Sequence, residues 1–446
     1  DSVSVFDTAT RARVAEIAVG KQPRSLTLTP QNEIWVTNCR DSSISIIDTT
    51  TLKLKSTLAL PPRRQPYGVI NDGSLAYVAF SATGELAEIN LTTRALNRTV
   101  SLGDSIRHLA LSARGDQIVV AQFITPKLPG EDTTQVQTNA AVGGVVFVVD
   151  KSTLTPTGNA ILHHSELSDA ENHGRGIPNY LGSVAVSPDG TAAWIPSVQD
   201  NIKRGAARDG RALTHDSTVR SIVSKLRWPQ TETSQPSGMP QENLAARVDN
   251  DDSGVASAAL FDHTGVVLYV ALEASREVAM INAITGDEIR RISVGRAPQG
   301  LALSDDGNLL YVQNFMDRTV TVVDVSSVLT RNGNAARLAD MMSVGTEKLP
   351  ADVLAGKQFF YDALDPRIAA QRYISCAACH NEGGQDGRIW DFTGMGEGLR
   401  NTIDLRGHRG VGQGPLHWSG NFDEVQDFEG QIRSLDKGTG LMTNDQ

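Results

Sequence analysis

Hydrophobic and polar positions alternate in short runs along the first three quarters of the chain, and the pattern recurs roughly every 40 residues. Each unit has a turn of the Asp-Gly type, a run like Y-V-x-N, a run like V-x-V-I-D and a last run that ends in Val-Gly. Alternating Val, Ile, Tyr and Leu are typical of half-buried strands, and Asn, Asp and Gly between the runs favour tight turns. Each unit therefore predicts four short antiparallel strands, which make one blade of a β-propeller.

The number of units bounds the size of the propeller. The run like Y-V-x-N occurs six times, at Trp35, Tyr77, Val119, Trp194, Tyr269 and Tyr311. The chain also begins with the pattern of the two outer strands of a further blade. We therefore predict a mainly β fold, with a propeller of the seven-bladed type over residues 1–345. The inner half of the seventh blade is expected to come from residues before Asp1 or from elsewhere.

The runs "WVTN", "YVAF" and "YVQN" resemble the YVTN-type bacterial propeller family. This resemblance covers about 1–345, implies the propeller fold and says almost nothing about function.

Two insertions interrupt the repeat, at about 125–143 and 199–254. Long loops on a propeller face are typically functional or poorly ordered. Either they cover the domain that follows or bind a partner, or they are decoration of the fold.

A C-x-x-C-H sequence at Cys376, Cys379 and His380 matches the attachment motif of a c-type haem. Its thiols suit thioether bonds to the haem vinyl groups, and its histidine suits the iron. No βαβ pattern supports a thioredoxin-like pair, and a structural zinc site normally needs four ligands. The only other cysteine is Cys39, which we predict to be a free, unreactive thiol.

The residues around the motif differ in character from the propeller repeat. Before it, apolar positions at helical spacing predict a helix, at Val353, Leu354, Phe359 and Phe360. After it, many glycines allow the backbone to approach a flat cofactor, and Trp390, Phe392 and Trp418 favour packing on an apolar surface. We predict a mostly α-helical c-type cytochrome domain over 346–446, incomplete at its C-terminus.

Residues 346–435 resemble the first haem domain of the bacterial di-haem cytochrome c peroxidase and MauG-type family. The resemblance rests on "GKQFFYDALDPR", "ISCAACHNEGGQDG", "LRNTIDLRG" and "LHWSGNFDEVQDFEGQI". It implies that Cys376 and Cys379 bind haem, that His380 is the proximal ligand, and that Arg400 and Asn401 help to build the haem pocket. It also implies that Trp418 lies near the haem and takes part in electron transfer.

The sequence departs from this family at two places. The family's W-D-G-R turn is replaced by Trp418-Ser419-Gly420-Asn421. The family's acidic residue, which manages protons during peroxide cleavage, is not recognisable in "LDKGTGLM". The absence of this acid from the expected motif weakens the peroxidase interpretation. Asp427, Glu429 or Asp436 could substitute for it.

The sixth ligand of the haem iron decides the chemistry, since a strong ligand favours electron transfer and an open position favours peroxide chemistry. The candidates are Met395, His408, His417 and Met442, with Met395 and His408 preferred. The sequence contains one C-x-x-C-H motif and thus predicts one haem c. A second haem domain follows Gln446, or the protein is a mono-haem cytochrome fused to a propeller.

Two other polar clusters contain residue types that can bind metal ions. One contains His163, His164 and His173, and the other spans 249–252, with three aspartates and one asparagine. Neither matches a known spacing of metal ligands, so polar loops are the favoured interpretation.

Composition excludes some classes of function. The net charge of −10 and pI near 5.4 argue against nucleic acid as a partner. No apolar run reaches the 18 or so residues of a membrane span. Because c-type haem is attached outside the cytoplasm, we expect a removed export signal and a periplasmic, extracellular or cell-surface location.

The sequence therefore predicts an exported haem redox protein that transfers electrons within a peroxidase or MauG-like oxidoreductase. Its partners would be a small electron-donor protein and peroxide. The alternative is a propeller that acts as a binding or surface scaffold, with the haem only as an electron relay. A dehydrogenase-type propeller would need a quinone or metal site, for which the sequence offers no convincing residues.

Overall fold

The computed structural model describes residues 1–139, 141–229, 238–330, 333–406 and 415–442. Within these residues, six antiparallel sheets of four or more strands follow one another along the chain as the blades of a β-propeller. The first strand of each blade lies next to the first strand of the following blade, so these strands line the central axis. The other strands extend outward in chain order.

Strands β1 (Ser2–Phe6) and β2 (Arg13–Ala18) form a separate two-stranded sheet before the blades. Blade 1 consists of β3 (Pro23–Thr29), β4 (Glu33–Asn38), β5 (Ser43–Asp48) and β6 (Lys53–Ala59). Blade 2 consists of β7 (Pro66–Asn71), β8 (Leu75–Phe80), β9 (Glu85–Asn90) and β10 (Leu96–Ser101). Blade 3 consists of β11 (Ile106–Leu111), β12 (Gln117–Gln122), β13 (Gly144–Asp150) and β14 (Thr155–Leu162). Blade 4 is β15 (Ile177–Asn179), β16 (Ala185–Val186), β17 (Ala192–Asp200), β18 (Val219–Arg227), β19 (Gln241–Glu242) and β20 (Val248–Asp249). Blade 5 consists of β21 (Ala256–Phe261), β22 (Val267–Leu272), β23 (Glu277–Asn282) and β24 (Glu288–Ser293). Blade 6 consists of β25 (Pro298–Leu303), β26 (Leu309–Asn314), β27 (Thr319–Asp324) and β28 (Ala336–Met342).

The mainly β propeller is confirmed, but the prediction of seven blades is wrong for the described residues, which complete six. The seventh position contains only β1 and β2. A seventh unit begins at Val344-Gly345, the dipeptide that precedes β3 and β25 in blades 1 and 6. It then continues through Pro350 into a helix instead of a strand, and therefore never forms the inner half of that blade.

The asparagine that ends the Y-V-x-N run stabilises the blade from inside. In blade 1, the fully buried Asn38 donates from Nδ2 to the hydroxyls of Ser43 and Ser45, at 3.0 and 2.9 Å. These two residues are the first and third of β5, so the bonds fix the second strand against the third. Gly20 leaves the room that this side chain needs, because a Cβ there would lie 2.6 Å from Asn38 Cγ.

Blade 6 repeats this arrangement. Asn314 Nδ2 donates to Thr319 Oγ1 and Thr321 Oγ1 at 3.0 and 2.8 Å. A Cβ at Gly295 would lie 2.7 Å from Asn314 Cγ. Blades 1 and 6 therefore share one buried polar clamp, which consists of the asparagine, two hydroxyls on the next strand and the glycine before the blade.

The predicted insertion at 199–254 is partly blade. Strand β18 lies inside it as the third strand of blade 4, and all of its residues except Arg227 are buried. Arg220 and Lys225 obscured this strand in the sequence. Both are buried through tertiary partners, since Arg220 pairs with Asp249 at 2.7 Å and the Lys225 ammonium lies 4.5 Å from the Trp194 ring centroid.

Beyond the propeller, the described residues are not mostly helical, which corrects the prediction for 346–446. They contain α1 (Ala351–Phe360), α2 (Cys376–Cys379), α3 (Glu429–Ser434) and the two-stranded sheet of β29 (Ile389–Phe392) and β30 (Gly398–Asn401). Glycines with positive φ follow α2 at 383, 387, 396 and 398, and this conformation ends helices. Short 3-10 turns occur at Leu244–Ala246, Glu273–Ser275, Asn381–Gly383, Thr393–Met395 and Val425–Phe428.

Helices are short throughout the part of the chain that the structure describes, and none has the length and apolar character required to cross a membrane.

We predict that Asn314→Ala destabilises the propeller by about 1–3 kcal/mol, because two buried hydroxyls lose their donor. Thermal unfolding of the purified protein measures the effect as a lower midpoint. Gln313→Ala is the matched control, since this neighbour on β26 is exposed and its loss should change stability by less than about 0.5 kcal/mol. Equal effects of the two substitutions would contradict the clamp.

Candidate functional site

The C-x-x-C segment forms the one-turn helix α2, which lies against the propeller face where the first strands of the blades begin. Ala377 and Ala378 are fully buried. Ala378 belongs to an apolar cluster with Ile177 and Tyr180 of blade 4, whereas Ala377 packs with Met316, after β26, and with other apolar residues. The motif is therefore seated on the propeller and does not project into solvent.

His380 ends helix α2, and its ring is oriented by the backbone. Nδ1 lies 3.2 Å from the carbonyl oxygen of Gly384. Because a carbonyl only accepts, Nδ1 carries the proton and Nε2 keeps its lone pair. This tautomer suits an imidazole that binds a metal through Nε2, because ligating histidines normally donate their other N–H to a nearby acceptor.

The thiols of Cys376 and Cys379 are free and half-buried. Burial raises the pKa of Cys376 to about 12. Burial, with the neighbouring Asp386 and Asp200 carboxyl groups, also raises the pKa of Cys379 well above its ordinary value. Both thiols are thus neutral at physiological pH, which disfavours a thiolate nucleophile or redox pair. They fit thioether attachment of a haem, together with the Nε2 atom of His380, which has no hydrogen-bond partner among the described residues.

The Tyr180 hydroxyl fixes the end of helix α2. It donates to the carbonyl oxygen of Cys379 at 2.7 Å and accepts from the amide of Asn381 at 3.3 Å. The ring stacks on Phe123 with centroids 4.6 Å apart. One side chain of blade 4 thereby satisfies the backbone on both sides of His380.

Glu382 anchors the motif to the centre of the propeller. Its carboxylate lies 2.7 Å from Arg24 of blade 1 and 3.3 Å from Arg107 of blade 3, and it accepts from the Tyr67 hydroxyl of blade 2 at 3.2 Å. Its backbone has a φ of 58°, which turns the side chain toward the axis. Burial opposes ionisation, but the two guanidinium groups and the hydrogen bond from Tyr67 outweigh it and lower the pKa of Glu382.

The surroundings of this cluster are buried. Burial and the repulsion of Arg107 lower the pKa of His108 to about 3, so that the imidazole is neutral. Cys39 is buried beside Arg24 as a free thiol, and burial raises its pKa. Neither group is in a form that reacts readily at neutral pH.

A second anchor lies at Arg388, which is fully buried just before β29. Its guanidinium lies 3.1 Å from Glu131 in the first insertion and also donates to the Thr125 carbonyl. Glu131 in turn accepts from the amides of Leu128 and Ile389, at 2.8 and 2.9 Å. The first insertion thus binds the chain around the motif through a buried ion pair, whose carboxylate also accepts two backbone amides.

The second insertion also contacts the segment that carries the motif. Asp391 on β29 accepts from the amides of Ala207 and Arg208, at 2.7 and 3.1 Å. The Arg208 side chain returns to the Ile389 carbonyl at 2.9 Å. Both insertions therefore cover part of the segment that carries the motif.

Two carboxyl groups, those of Asp386 and Asp200, act on Cys379 through their charge. Asp386 accepts from the Trp390 indole at 2.9 Å, and Asp200 accepts from the Asn179 amide at 2.7 Å. Burial and then the neighbouring Asp386 charge raise the pKa of Asp200 well above its ordinary value. The Oδ1 atom of Asp200 has no hydrogen-bond partner among the described residues.

The residues assigned to the haem pocket by resemblance lie together, though the described hydrogen bonds do not join them to His380. The Trp418 indole donates to the Asn401 carbonyl at 2.7 Å, and Trp418 is 44% exposed. Arg400, one residue earlier on β30, lies 3.4 Å from Glu397. Their proximity to a haem stays a prediction.

The four candidates for a sixth ligand differ in environment. Met395 is 41% exposed in a 3-10 turn, and Met442 is half-buried. His417 has both ring nitrogens engaged, Nδ1 with Asn421 at 3.0 Å and Nε2 with Gln431 at 2.8 Å, which leaves neither for a metal. His408 lies outside the described residues.

The sequence left three acids open as the family's acidic residue. Of these, Asp436 is the one whose charge acts on the cysteines of the motif. Its charge acts on both Cys376 and Cys379, and burial raises its own pKa to about 7. Asp427 instead caps the turn that begins at Glu424, and Glu429 pairs with Arg433 at 2.7 Å. Sequence reasoning named Asp436 only as one of three, because a lone acid carries no signal of its burial.

Residues of the two polar clusters that the sequence offered as metal sites make ion pairs and hydrogen bonds within the protein. His163 pairs with Glu242 at 2.9 Å, His173 bonds the Ser168 carbonyl at 2.8 Å, and Arg220 pairs with Asp249. No group of three or more His, Cys, Asp or Glu side chains within the described ranges is arranged to hold a metal ion.

Comparisons with known proteins support the fold. A scan against protein-family models returns no match, and neither does a search of curated proteins. Among solved structures, hydrazine synthase of Kuenenia stuttgartiensis is similar with a TM-score of 0.55 and 18% identity, over 72% of this chain and 89% of that chain. A functionally unknown protein of Desulfotomaculum acetoxidans has a TM-score of 0.45 and 13% identity, over 69% and 79%. The first likeness supports the propeller alone, and no haem-domain family is identified.

We predict that Glu382→Gln weakens the attachment of the motif to the propeller. Removing one partner of a buried pair costs about 3–5 kcal/mol, and the 13% exposure of both arginine side chains places the loss near the lower limit. Thermal unfolding and limited proteolysis after residue 345 measure it. Asp305→Asn, which removes an exposed acid of blade 6, is the control.

The same variant should change the response to acid. Since the folded-state pKa of Glu382 is lowered, its stabilisation is fully present above the ordinary glutamate pKa of about 4.3 and is lost as the pH falls through the lower folded value. The stability difference between wild type and Glu382→Gln should therefore shrink in that acidic window. A difference that is independent of pH would refute the ion cluster.

Proposed function

We propose that the protein is an exported c-type haem redox protein, which transfers electrons within a peroxidase or MauG-like oxidoreductase. The observation that supports this best is helix α2, where two free, neutral thiols precede a histidine whose Nδ1 is committed to the Gly384 carbonyl. Covalent attachment through thioethers requires two such thiols, and axial ligation requires the free Nε2. A covalently bound haem would supply one-electron redox chemistry.

The residues of this chain then have separate roles in the proposal. Cys376 and Cys379 hold the haem, and His380 is its proximal ligand. Arg400 and Asn401 shape the pocket, and Trp418 lies on the path of the electron. Asp436 holds and releases a proton beside the motif, because burial gives it a pKa of about 7. Met395 and His408 remain the preferred candidates for the sixth ligand.

The propeller would bind the redox partner, a small electron-donor protein, with the haem module fixed on one face. Attachment of haem c places the protein in the periplasm, outside the cell or at the cell surface. The alternative is a scaffold in which the haem serves only as a relay, and it predicts the same attachment chemistry. Behaviour toward peroxide distinguishes the two.

We expect the protein, expressed in a bacterial periplasm with the c-type haem maturation system, to carry one haem that resists acidified acetone. Cys376→Ala with Cys379→Ala should abolish covalent haem, and His380→Ala should shift the Soret band, because it removes the axial nitrogen. Pyridine haemochrome spectra measure both. Cys39→Ala is the matched control, since this thiol is equally free but lies outside the motif. Haem that stays attached to the double variant would refute the proposal.

We further expect peroxide to oxidise a reduced small cytochrome in the presence of the wild-type protein. Asp436→Asn should slow this reaction about 10²-fold or more, which is the usual contribution of a positioned acid or base. Asp427→Asn should leave the rate within twofold, because Asp427 caps a turn. A wild-type protein that exchanges electrons but ignores peroxide would favour the relay.

A further inference from the structure

Trp390 is the tryptophan that packs against the C-x-x-C-H motif. It lies on β29, is 2% exposed and belongs to the same apolar cluster as Ala378, the residue before Cys379. Cys379 itself packs against this cluster. Trp418 is 44% exposed, and its described hydrogen bond goes to Asn401 and not to the motif. Of these two tryptophans, Trp390 is therefore the one in contact with the motif helix.

The indole of Trp390 is bonded to a buried carboxylate. Nε1 donates to Asp386 Oδ2 at 2.9 Å, and Asp386 Oδ1 accepts from the amide of Arg388 at 2.8 Å. Asp386 is fully buried. A buried tryptophan needs an acceptor for its N–H, but a neutral carbonyl would satisfy this need without the cost of burying a charge. The charge of Asp386 thus exceeds what the packing of the ring requires.

The charge of Asp386 acts on its surroundings. The guanidinium of Arg388 is paired with Glu131 at 3.1 Å, so it does not neutralise Asp386. Burial and then the charge of Asp386 raise the pKa of Cys379 and that of Tyr180 well above their ordinary values. In a region of low polarity, this negative charge stabilises positive charge on the adjacent indole ring. Trp390 therefore lies where loss of an electron from the ring is favoured.

Tyr180 also contacts the motif but is less suited to carry an electron. Oxidation of a tyrosine at neutral pH requires a base that takes the phenolic proton. The Tyr180 hydroxyl donates to the Cys379 carbonyl at 2.7 Å, and a carbonyl is a poor base. An indole can lose an electron and keep its proton, so Trp390 needs no such base.

A two-stranded sheet joins Trp390 to Trp418. Trp390 on β29 is the register partner of Arg400 on β30. The next residue of β30, Asn401, accepts the Trp418 indole N–H through its carbonyl oxygen at 2.7 Å. The exposed tryptophan is thus connected to the buried one through neighbouring positions of one hydrogen-bonded sheet.

We propose that Trp390 carries electrons between Trp418 and the C-x-x-C-H motif, and that Asp386 stabilises the indole while it lacks an electron. This inference rests on the proposed function, since a haem at the motif and peroxide are needed to draw the electrons. Peroxide takes up two electrons and two protons from solvent and gives two molecules of water. Each electron that leaves Trp390 is replaced by one that the small donor protein delivers at Trp418. The indole proton stays bonded to Asp386, so Trp390 is unchanged after each electron has passed.

The first test needs no substitution in the pathway. The wild-type protein with attached haem is treated with peroxide without a donor, and peptide mapping by mass spectrometry measures the oxidation of each tryptophan. Trp390 should be modified although it is buried. Trp35 is the matched internal control, because it is fully buried and donates to Glu33 at 3.2 Å but lies on β4 of blade 1. If Trp390 stays unmodified, or if Trp35 is modified to the same extent, the inference is wrong.

A second test follows the radical by electron paramagnetic resonance after the addition of peroxide. Trp390→Phe keeps an apolar ring and removes the indole, so the tryptophan radical signal should be lost. Asp386→Asn keeps an acceptor for the indole and removes the charge, so the signal should weaken. Trp35→Phe is the control and should leave the signal unchanged. A purely structural role of Trp390 would leave the signal in Trp390→Phe, and a signal that only Tyr180→Phe removes would assign the electron to Tyr180.

The direction of the pathway is tested with a reduced small cytochrome present. In the wild-type protein, electrons from this donor should protect Trp390 from modification by peroxide. Trp418→Phe should abolish the protection, because it removes the entry point. If protection persists in this variant, electrons do not enter through Trp418. Pyridine haemochrome spectra separate the two proposals: absence of covalent haem would refute the proposed function, whereas attached haem with an unmodified Trp390 would refute this inference alone.

Discussion

Arg24 and Arg107 come from different propeller blades and share one carboxylate, that of Glu382. Without it, two guanidinium groups would lie close together in a region of low polarity, where like charges repel strongly. With it, three blades and the C-x-x-C-H segment are joined at a single point. The position of His380, only two residues earlier, depends on this ion cluster and on the positive φ that aims the glutamate toward the axis.

The ion pair of Glu131 and Arg388 joins the first insertion to the segment that carries the motif. Glu131 and Arg388 are both buried, and the amides of Leu128 and Ile389 donate hydrogen bonds to Glu131 that offset part of the desolvation of the two charges. Loops that interrupt the repeat thus hold the segment that follows the motif. The propeller and the segment that carries the C-x-x-C-H motif are therefore expected to unfold together and not as separate units.

The sequence was informative where local pattern and tertiary role coincide. Alternation predicted the blade strands, and the asparagine at the end of "WVTN" and "YVQN" is the donor of a buried clamp. It was misleading where tertiary partners alter the meaning of a residue. Arg220 and Lys225 made β18 appear to be a loop, although their charges are matched by Asp249 and Trp194.

The candidate site shows the same division. Cys376, Cys379 and His380 were identified from the sequence as a candidate haem site because the C-x-x-C-H motif has a fixed spacing in the chain, and this assignment stays a prediction. Glu382 was not, since its partners lie more than 270 positions away and nothing local marks it as an anchor. His417 was a plausible ligand by residue type alone, but only the fold reveals that both of its ring nitrogens are occupied.

The hydroxyl of Tyr180 has a consequence for the order of events during biogenesis. It binds the Cys379 carbonyl and the Asn381 amide, so the backbone on both sides of His380 is committed once the module has docked. If haem is attached to the two cysteines as proposed, the enzyme that attaches it must engage this stretch of chain while it is accessible. Attachment would then have to precede docking, and assembly of the module onto the propeller would end the period in which it can occur.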